Sequence, residues 1–317
     1  MAMAQKSPSS KPKKKFFKSA TFGDKLQEVL MLMPMFIGFM LFVIYPILWV
    51  LRWAWFQHDG FTTPTFIGFD NFVRAFTRDP SFWMSLQNTF FLAFAKLIIE
   101  MPLALGLAVL VNNKVRGSSF FRVVYFMPTI FSVAVVGLIF LVMFSAFNGI
   151  INNLLVHFGF ITRNINWFGD RWLALTVVLL VSVWTTFGLN MIYFLMGLQN
   201  VPKELYECAS IDGASAPRQF FSITLPLLGP VMQIIFMISM LGTMRSADLV
   251  LVMTNGQPGG STEVVMTYIF KLFFQFGDMG SRTQFGYGSA LVLITAFFLG
   301  IITVIYLRIS RRLKNIY

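Results

Sequence analysis

Charge, cysteine and histidine are scarce in this chain, and each scarcity closes off a class of protein. One cysteine and two histidines stand among 317 residues, so no internal disulfide can form. His58 and His157 sit in separate connections with no Cys, His or acidic cluster beside them, which argues against a metal site. Charged residues make up 12% of the sequence, about half the usual share of a soluble domain, so a water-facing surface over most of the chain is excluded. No Gly-x-x-x-x-Gly-Lys-Ser/Thr run occurs, and nucleotide binding by a phosphate loop is excluded with it. The glycine-rich stretch Gly256–Gly260 has no lysine and reads as a loop. Serine and histidine nowhere fall into a nucleophile pattern with an acid, so no catalytic residue is assigned. A cleavable signal peptide is not expected either. The first apolar run is too long for a signal core, holds Pro34 and Pro46, and lacks a small-x-small cleavage site.

What the chain has is length in apolar runs. Hydrophobic residues are 56% of the sequence and the mean hydropathy is +0.71. About 20 apolar residues at 1.5 Å each cross a bilayer core as a helix, which satisfies its own backbone groups there. Six runs meet this condition, at 29–50, 86–111, 123–147, 173–196, 221–244 and 285–307. The expected fold is therefore an all-α membrane protein with six transmembrane helices, preceded by a basic, disordered tail over 1–25. Residues 26–317 form the membrane domain.

The net charge of +12 is unevenly placed. Lys6, Lys11, Lys13, Lys14, Lys15, Lys18 and Lys25 precede the first run, and Arg308, Arg311, Arg312 and Lys314 follow the last. With Lys114, Arg116, Arg122, Lys203 and Arg218 from the second and fourth connections, one side holds twice as many basic residues as the other. The other side carries Arg52, Arg74, Arg78, Arg163, Arg171, Arg245, Lys271 and Arg282. The positive-inside bias then puts both termini in the cytoplasm. The lysine-rich tail suits anionic lipid headgroups, not nucleic acid.

The fourth connection is unusually polar. It reads Glu207-Cys208-Ala209-Ser210-Ile211-Asp212-Gly213, then Ile223-Thr224-Leu225-Pro226. This resembles the signature loop of ABC-importer permease subunits: Glu-Ala-Ala, three residues, Gly, nine residues, Ile, one residue, Leu-Pro. Only Cys208 departs from it. Phe66-Ile67-Gly68-Phe69-Asp70-Asn71-Phe72, Leu251–Glu263 and Phe285–Ala290 are similar to further segments of the carbohydrate-uptake branch, in particular its maltose- and glycerol-phosphate-type first permease.

The residues themselves suggest a helix–glycine–helix elbow over about 200–226. Pro202 suits the first helical position and Glu204 the first turn, near the positive end of the dipole. Gly213 would end the helix at positive φ, and a second helix from about Ala214 would lead to the fifth span. The resemblance implies that this coupling loop, with Glu204, Glu207, Cys208, Ala209, Asp212 and Gly213, docks on an ATP-hydrolysing subunit and turns its closure into helix rotation. It further implies a second homologous permease, two ATP-binding subunits, an extracytoplasmic solute-binding protein and a sugar substrate. No cofactor is expected on this chain, ATP and magnesium belonging to the partner subunits, and the expected location is a bacterial or archaeal cytoplasmic membrane.

Polar residues inside spans are costly and face a bundle interior or a cavity. Ser182, Thr186 and Asn190, with Tyr193 nearby, share one face of the fourth span. Ser239, Thr243 and Ser246, with Gln233 earlier, share one face of the fifth. These faces are the expected substrate path, with Phe187, Tyr193 and Phe236 as stacking surfaces. The bland alternative is that each hydroxyl bonds its own i−4 carbonyl. Lys96 and Glu100, at i and i+4 in the second span, suit a proton relay or an anchor for a charged substrate, but are expected to be a self-neutralised structural pair facing a partner chain. Rival readings are the same architecture importing glycerol phosphate or another small solute, a stand-alone secondary transporter or channel, and an intramembrane enzyme.

Overall fold

The protein is described from a computed structural model, over residues 22–112, 117–274 and 283–314. Most of the expected tail, together with Lys114, Arg116 and Arg282, lies outside these described residues. The described residues up to Arg52 form one compact unit and those from Trp53 a second.

In the first unit, helix α1 (Phe22–Phe39) begins inside the stretch assigned to the tail. It runs through a π-helical turn, Met40–Ile44, into α2 (Tyr45–Trp53). Pro46 has no N–H to donate, and the helix widens to π spacing in the turn before it. Residues 26–53 are long and apolar enough to cross a membrane.

The second unit opens with a two-residue antiparallel pair, β1 (Phe56–Gln57) and β2 (Thr65–Phe66), with Phe56 opposite Phe66. Helix α3 (Asp70–Thr77) follows, then the 33-residue α4 (Pro80–Asn112). Asp79-Pro80, a residue pair common in turns, starts α4. Asp79 Oδ1 accepts the Phe82 N–H at 3.0 Å, and proline fills the first position, where its missing N–H costs nothing. The fourth span is α8 (Arg171–Gln199), capped by Asp170, whose side chain accepts from the backbones of Trp172 and Leu173.

Helices α4 and α8 are parallel. Asn88 meets Arg171 near both N-termini, Glu100 meets Thr186 midway, and Ala104, Ala108 and Val111 pack with Met191, Phe194 and Leu198 at the far end. Two parallel spans need a return crossing between them. That crossing is bent. The expected straight span at 123–147 is instead α5 (Ser118–Phe126), a 3₁₀ turn (Met127–Ile130) and α6 (Val133–Met143), with a bend of 93°. Pro128 opens the 3₁₀ turn, and Phe131 and Ser132 then adopt extended backbone, which ends one helix before the next begins. A further helix, α7 (Ile150–His157), precedes α8. At the bend the chains touch: a Cβ on Gly188 of α8 would lie 1.8 Å from the Tyr125 carbonyl oxygen.

The fifth crossing is broken too. After α9 (Lys203–Ile211) come α10 (Ala216–Gln219), a π turn (Phe220–Thr224), α11 (Leu225–Leu227) and α12 (Gly229–Arg245), bent by 65°. Pro226 and Pro230 each remove a backbone donor, and Gly229 between them breaks the helix. Helix α12 runs antiparallel to α8, for Gly197 meets Leu228 and Val231 while Asn190 meets Ser239. Two short helices, α13 (Asp248–Met253) and α14 (Val265–Phe273), lead to α15 (Phe285–Lys314). Among the described residues four helices thus have the length and apolarity of a span, and counting each bent pair as one span brings the number to six.

Candidate functional site

The elbow is assembled almost entirely from local bonds. Pro202 is the residue before the helix, with extended backbone (φ −60°, ψ 132°), so α9 starts one residue later than expected. At its other end Gly213 has φ +78°. Its N–H bonds the Ser210 carbonyl at 3.1 Å, and the Ala214 N–H bonds that of Ala209 at 2.8 Å. This pair of bonds is the Schellman closure, and it needs the left-handed residue that glycine supplies without Cβ strain. The segment after it starts at Ala216, two residues later than expected, and runs through the π turn to Leu227. Gln219 Nε2 donates to the Ala214 carbonyl and to Ser210 Oγ, both at 3.0 Å. The hydroxyls of Tyr206 and Thr224 are 2.8 Å apart, tying α9 to the start of the fifth crossing. Tyr206, Gln219 and Thr224 were not singled out from the sequence, because a brace between turns leaves no periodic trace.

No residue of α9 is buried. Glu204, Glu207, Cys208, Asp212 and Gly213 are exposed and Ala209 is half-buried. None of the three carboxylates has a hydrogen-bond or ion-pair partner among the described residues. The elbow presents fixed, unpaired negative charge on a rigid turn.

The two polar faces do meet. Asn190, 3% exposed, donates to Ser239 Oγ at 2.8 Å. Ser182, Thr243 and Ser246, with Thr89 of α4, line a small cavity of about 20 Å³, room for one water. Thr186 Oγ1 is within bonding distance of its own i−4 carbonyl, Ser182, at 2.9 Å, and of the Glu100 carboxylate. Thr243 Oγ1 donates to the Ser239 carbonyl at 2.8 Å. Ser246 has left the helix and lies in extended backbone after Arg245.

Other members of the expected path point elsewhere. Gln233 faces α15, where its carbonyl accepts from Tyr306 and its Oε1 from Ser310. Phe236 stacks on Tyr306 with centroids 5.4 Å apart, and Phe187 packs edgewise on Tyr125. Tyr193 is half-buried in the cluster of α4, α8 and α12. The Lys96–Glu100 pair does not face outward to a partner chain: Glu100 is fully buried and turned toward α8, with Thr186 on its Oε1.

At the end opposite the elbow lies a buried polar knot. Asn88, 0% exposed, donates to the carbonyls of Ser261 and Glu263 at 2.8 and 2.7 Å and accepts from Arg171 at 2.8 Å. Glu263 pairs directly with Lys271, whose ammonium also donates to the Asn255 carbonyl at 2.7 Å. Thr89 receives the Val265 N–H at 2.9 Å. Beside it Asp79 Oδ2 accepts from Tyr268 and Tyr287, and burial with this charge pushes the Tyr268 hydroxyl above its ordinary pKa. An Asn one turn into an apolar run was the available signal for this knot. Among the described residues no group of three or more His, Cys, Asp or Glu could hold a metal ion.

A family model described as the binding-protein-dependent transport system inner membrane component matches residues 100–315. That stretch takes in the elbow, both polar faces and Glu100. The chain belongs to this family. It is a multi-pass membrane component of a transport system, and the permease has long relatives. It is 32% identical over 289 residues to a probable ABC transporter permease of Bacillus subtilis (strain 168), covering 90% of this chain and 91% of that one. It is 31% identical to the arabinooligosaccharides transport system permease of the same organism, over 93% and 91% of the two chains. It is 32% identical to the lactose transport system permease of Rhizobium radiobacter, over 86% and 90%. Its fold is shared with a chain in the crystal structure of a bacterial ABC transporter involved in import of the acidic polysaccharide alginate. The TM-score is 0.78 at 22% identity, with 92% of this permease and 96% of that chain covered.

Proposed function

We propose that this permease is one transmembrane subunit of a binding-protein-dependent importer for a sugar or oligosaccharide in a bacterial or archaeal cytoplasmic membrane. It pairs with a second homologous permease, two ATP-binding subunits and an extracytoplasmic solute-binding protein. The observation that carries the reading is the elbow: rigid, solvent-facing and charged without internal partners, on a chain that has no phosphate loop of its own. Burying the Glu207 carboxylate against a basic residue of an ATP-binding subunit fixes register and orientation more than it adds affinity. A rigid elbow braced to the fifth crossing passes the closure of those subunits to α12 as a rigid-body movement. The arabinooligosaccharide and lactose names of relatives aligned over nearly the whole chain support the substrate class. The polar faces of α8 and α12 offer neutral hydroxyls and an amide for it.

The test is reconstitution. Expressed with the ATP-binding subunits, second permease and binding protein of its own source, the permease supports ATP-dependent carbohydrate uptake into vesicles, and alone it neither binds nor hydrolyses ATP. Glu207→Lys removes co-purification with the ATP-binding subunits. Tight ATP binding by the isolated chain, or wild-type docking by Glu207→Lys, overturns the reading.

A further inference from the structure

Two charged side chains stand in the middle of α4 with their hydrogen-bonding capacity unfilled. Lys96 is 6% exposed and Glu100 0%. Burying each ion costs several kcal/mol unless a partner compensates. Yet Lys96 Nζ stays 4.0 Å from Glu100 Oε2, beyond the reach of a direct charge-assisted bond. Thr186 is within bonding distance of Glu100 Oε1, while Oε2 has no hydrogen-bond partner. The same chain shows what a closed pair looks like, for Glu263 and Lys271 are in direct contact. Lys96 and Glu100 are held apart.

The gap has the dimensions of one oxygen atom. An oxygen about 2.8 Å from both Nζ and Oε2 fits between them at close to a right angle. It must accept from the ammonium and donate to the carboxylate, which a hydroxyl does and a carboxylate or an ammonium ligand does not. The position is also right. Asn88 contacts Arg171 and Glu100 contacts Thr186 on parallel helices, which sets Lys96 level with Ser182 on α8. Leu92, one turn earlier on α4, lines the cavity shared with Ser182 and Thr243. The pair thus borders the faces that bring α8 and α12 together.

We infer that Lys96 and Glu100 form a hydroxyl-binding pair in the translocation path, and that their ligand is a neutral, hydroxyl-rich substrate. The inference rests on the carbohydrate reading above and adds α4 to the substrate path. The pair carries no net charge. An anionic group would meet Glu100 and a cationic group Lys96 in a medium that screens little, so the pair selects against both. A site built to bond a hydroxyl discriminates strongly against a ligand that lacks it, because its own polar groups are then left unpaired.

The experiment uses the complete importer in vesicles, with lactose and arabinotriose as neutral probes and digalacturonate as the anionic one. Uptake is normalised to the amount of assembled complex. Lys96→Met combined with Glu100→Met removes both charges at similar volume and lowers neutral uptake by about tenfold or more. Lys96→Met combined with Glu100→Gln keeps a polar group beside Thr186 but no ammonium, and recovers only part of that loss. Wild-type uptake in both double variants overturns the inference, because a merely structural pair is dispensable once both charges are gone. If the double variants do not assemble, the wild-type importer trapped with lactose decides: a ligand hydroxyl within about 3.2 Å of both Nζ and Oε2 supports the pair, and lactose bound away from it overturns it. Preference for digalacturonate over the neutral probes overturns the selectivity. Absence of any carbohydrate uptake by wild type overturns the carbohydrate reading together with the pair, whereas failure of the pair alone leaves that reading standing.

Discussion

The elbow and the polar knot at the opposite end of the bundle are both built from charged and amide side chains, and they use them in opposite ways. In the knot most contacts join distant segments. Asn88 on α4 bonds residues 83 positions away on α8 and more than 170 positions away in the loop before α14, and Glu263 meets Lys271 inside the chain. In the elbow the bonds are short-range, and the carboxylates of Glu204, Glu207 and Asp212 face solvent. A buried polar network contributes stability only when all its members are present. An exposed carboxylate contributes almost nothing until another molecule covers it. One end holds this fold together, and the other leaves its charge uncovered.

Substitutions can break that contrast, and the largest expected effect is in the knot. Lys271→Met strands the Glu263 carboxylate and should destabilise the purified permease by about 3 kcal/mol, read as a lower melting temperature in detergent. Asn88→Leu leaves two loop carbonyls and Arg171 short of partners and should cost about 2 kcal/mol in the same measurement. Gly213→Val should cost about 1–2 kcal/mol through its left-handed backbone alone, since the structure leaves open space where its side chain would go. Tyr206→Phe removes one hydroxyl bond and should cost about 1 kcal/mol. Glu207→Lys should leave the melting temperature within about 0.5 kcal/mol of wild type while abolishing docking. If Glu207→Lys melted like Lys271→Met, the division of labour between the two ends would be wrong.

This contrast also decides what could be read from the sequence. The elbow lies within about two dozen consecutive residues, so its glycine, its helix and its charges were legible from spacing. The six apolar runs were legible for the same reason, and α4, α8 and α15 follow three of them closely. The bends were not. Pro128 and Pro226 were visible as letters, but whether a proline bends a span or opens a helix depends on what packs beside it, and Asp79-Pro80 shows the second outcome. Gln233 was grouped with Ser239 and Thr243 by position on the same chain segment, and only the arrival of α15 from 73 residues away turns it to Tyr306. Glu100 was misplaced outward because its partner Thr186 is 86 residues distant. Local bonds leave a pattern in sequence, and bonds across the bundle do not.

The single cysteine of the chain is exposed on α9, beside Glu207. The permease therefore carries its own reporter. A maleimide dye can attach at one place only, so no residue has to be removed or introduced before labelling. Its attachment rate clocks the fraction of time the elbow stands uncovered, and each added increment of ATP-binding subunit should slow that clock until the assembly is complete.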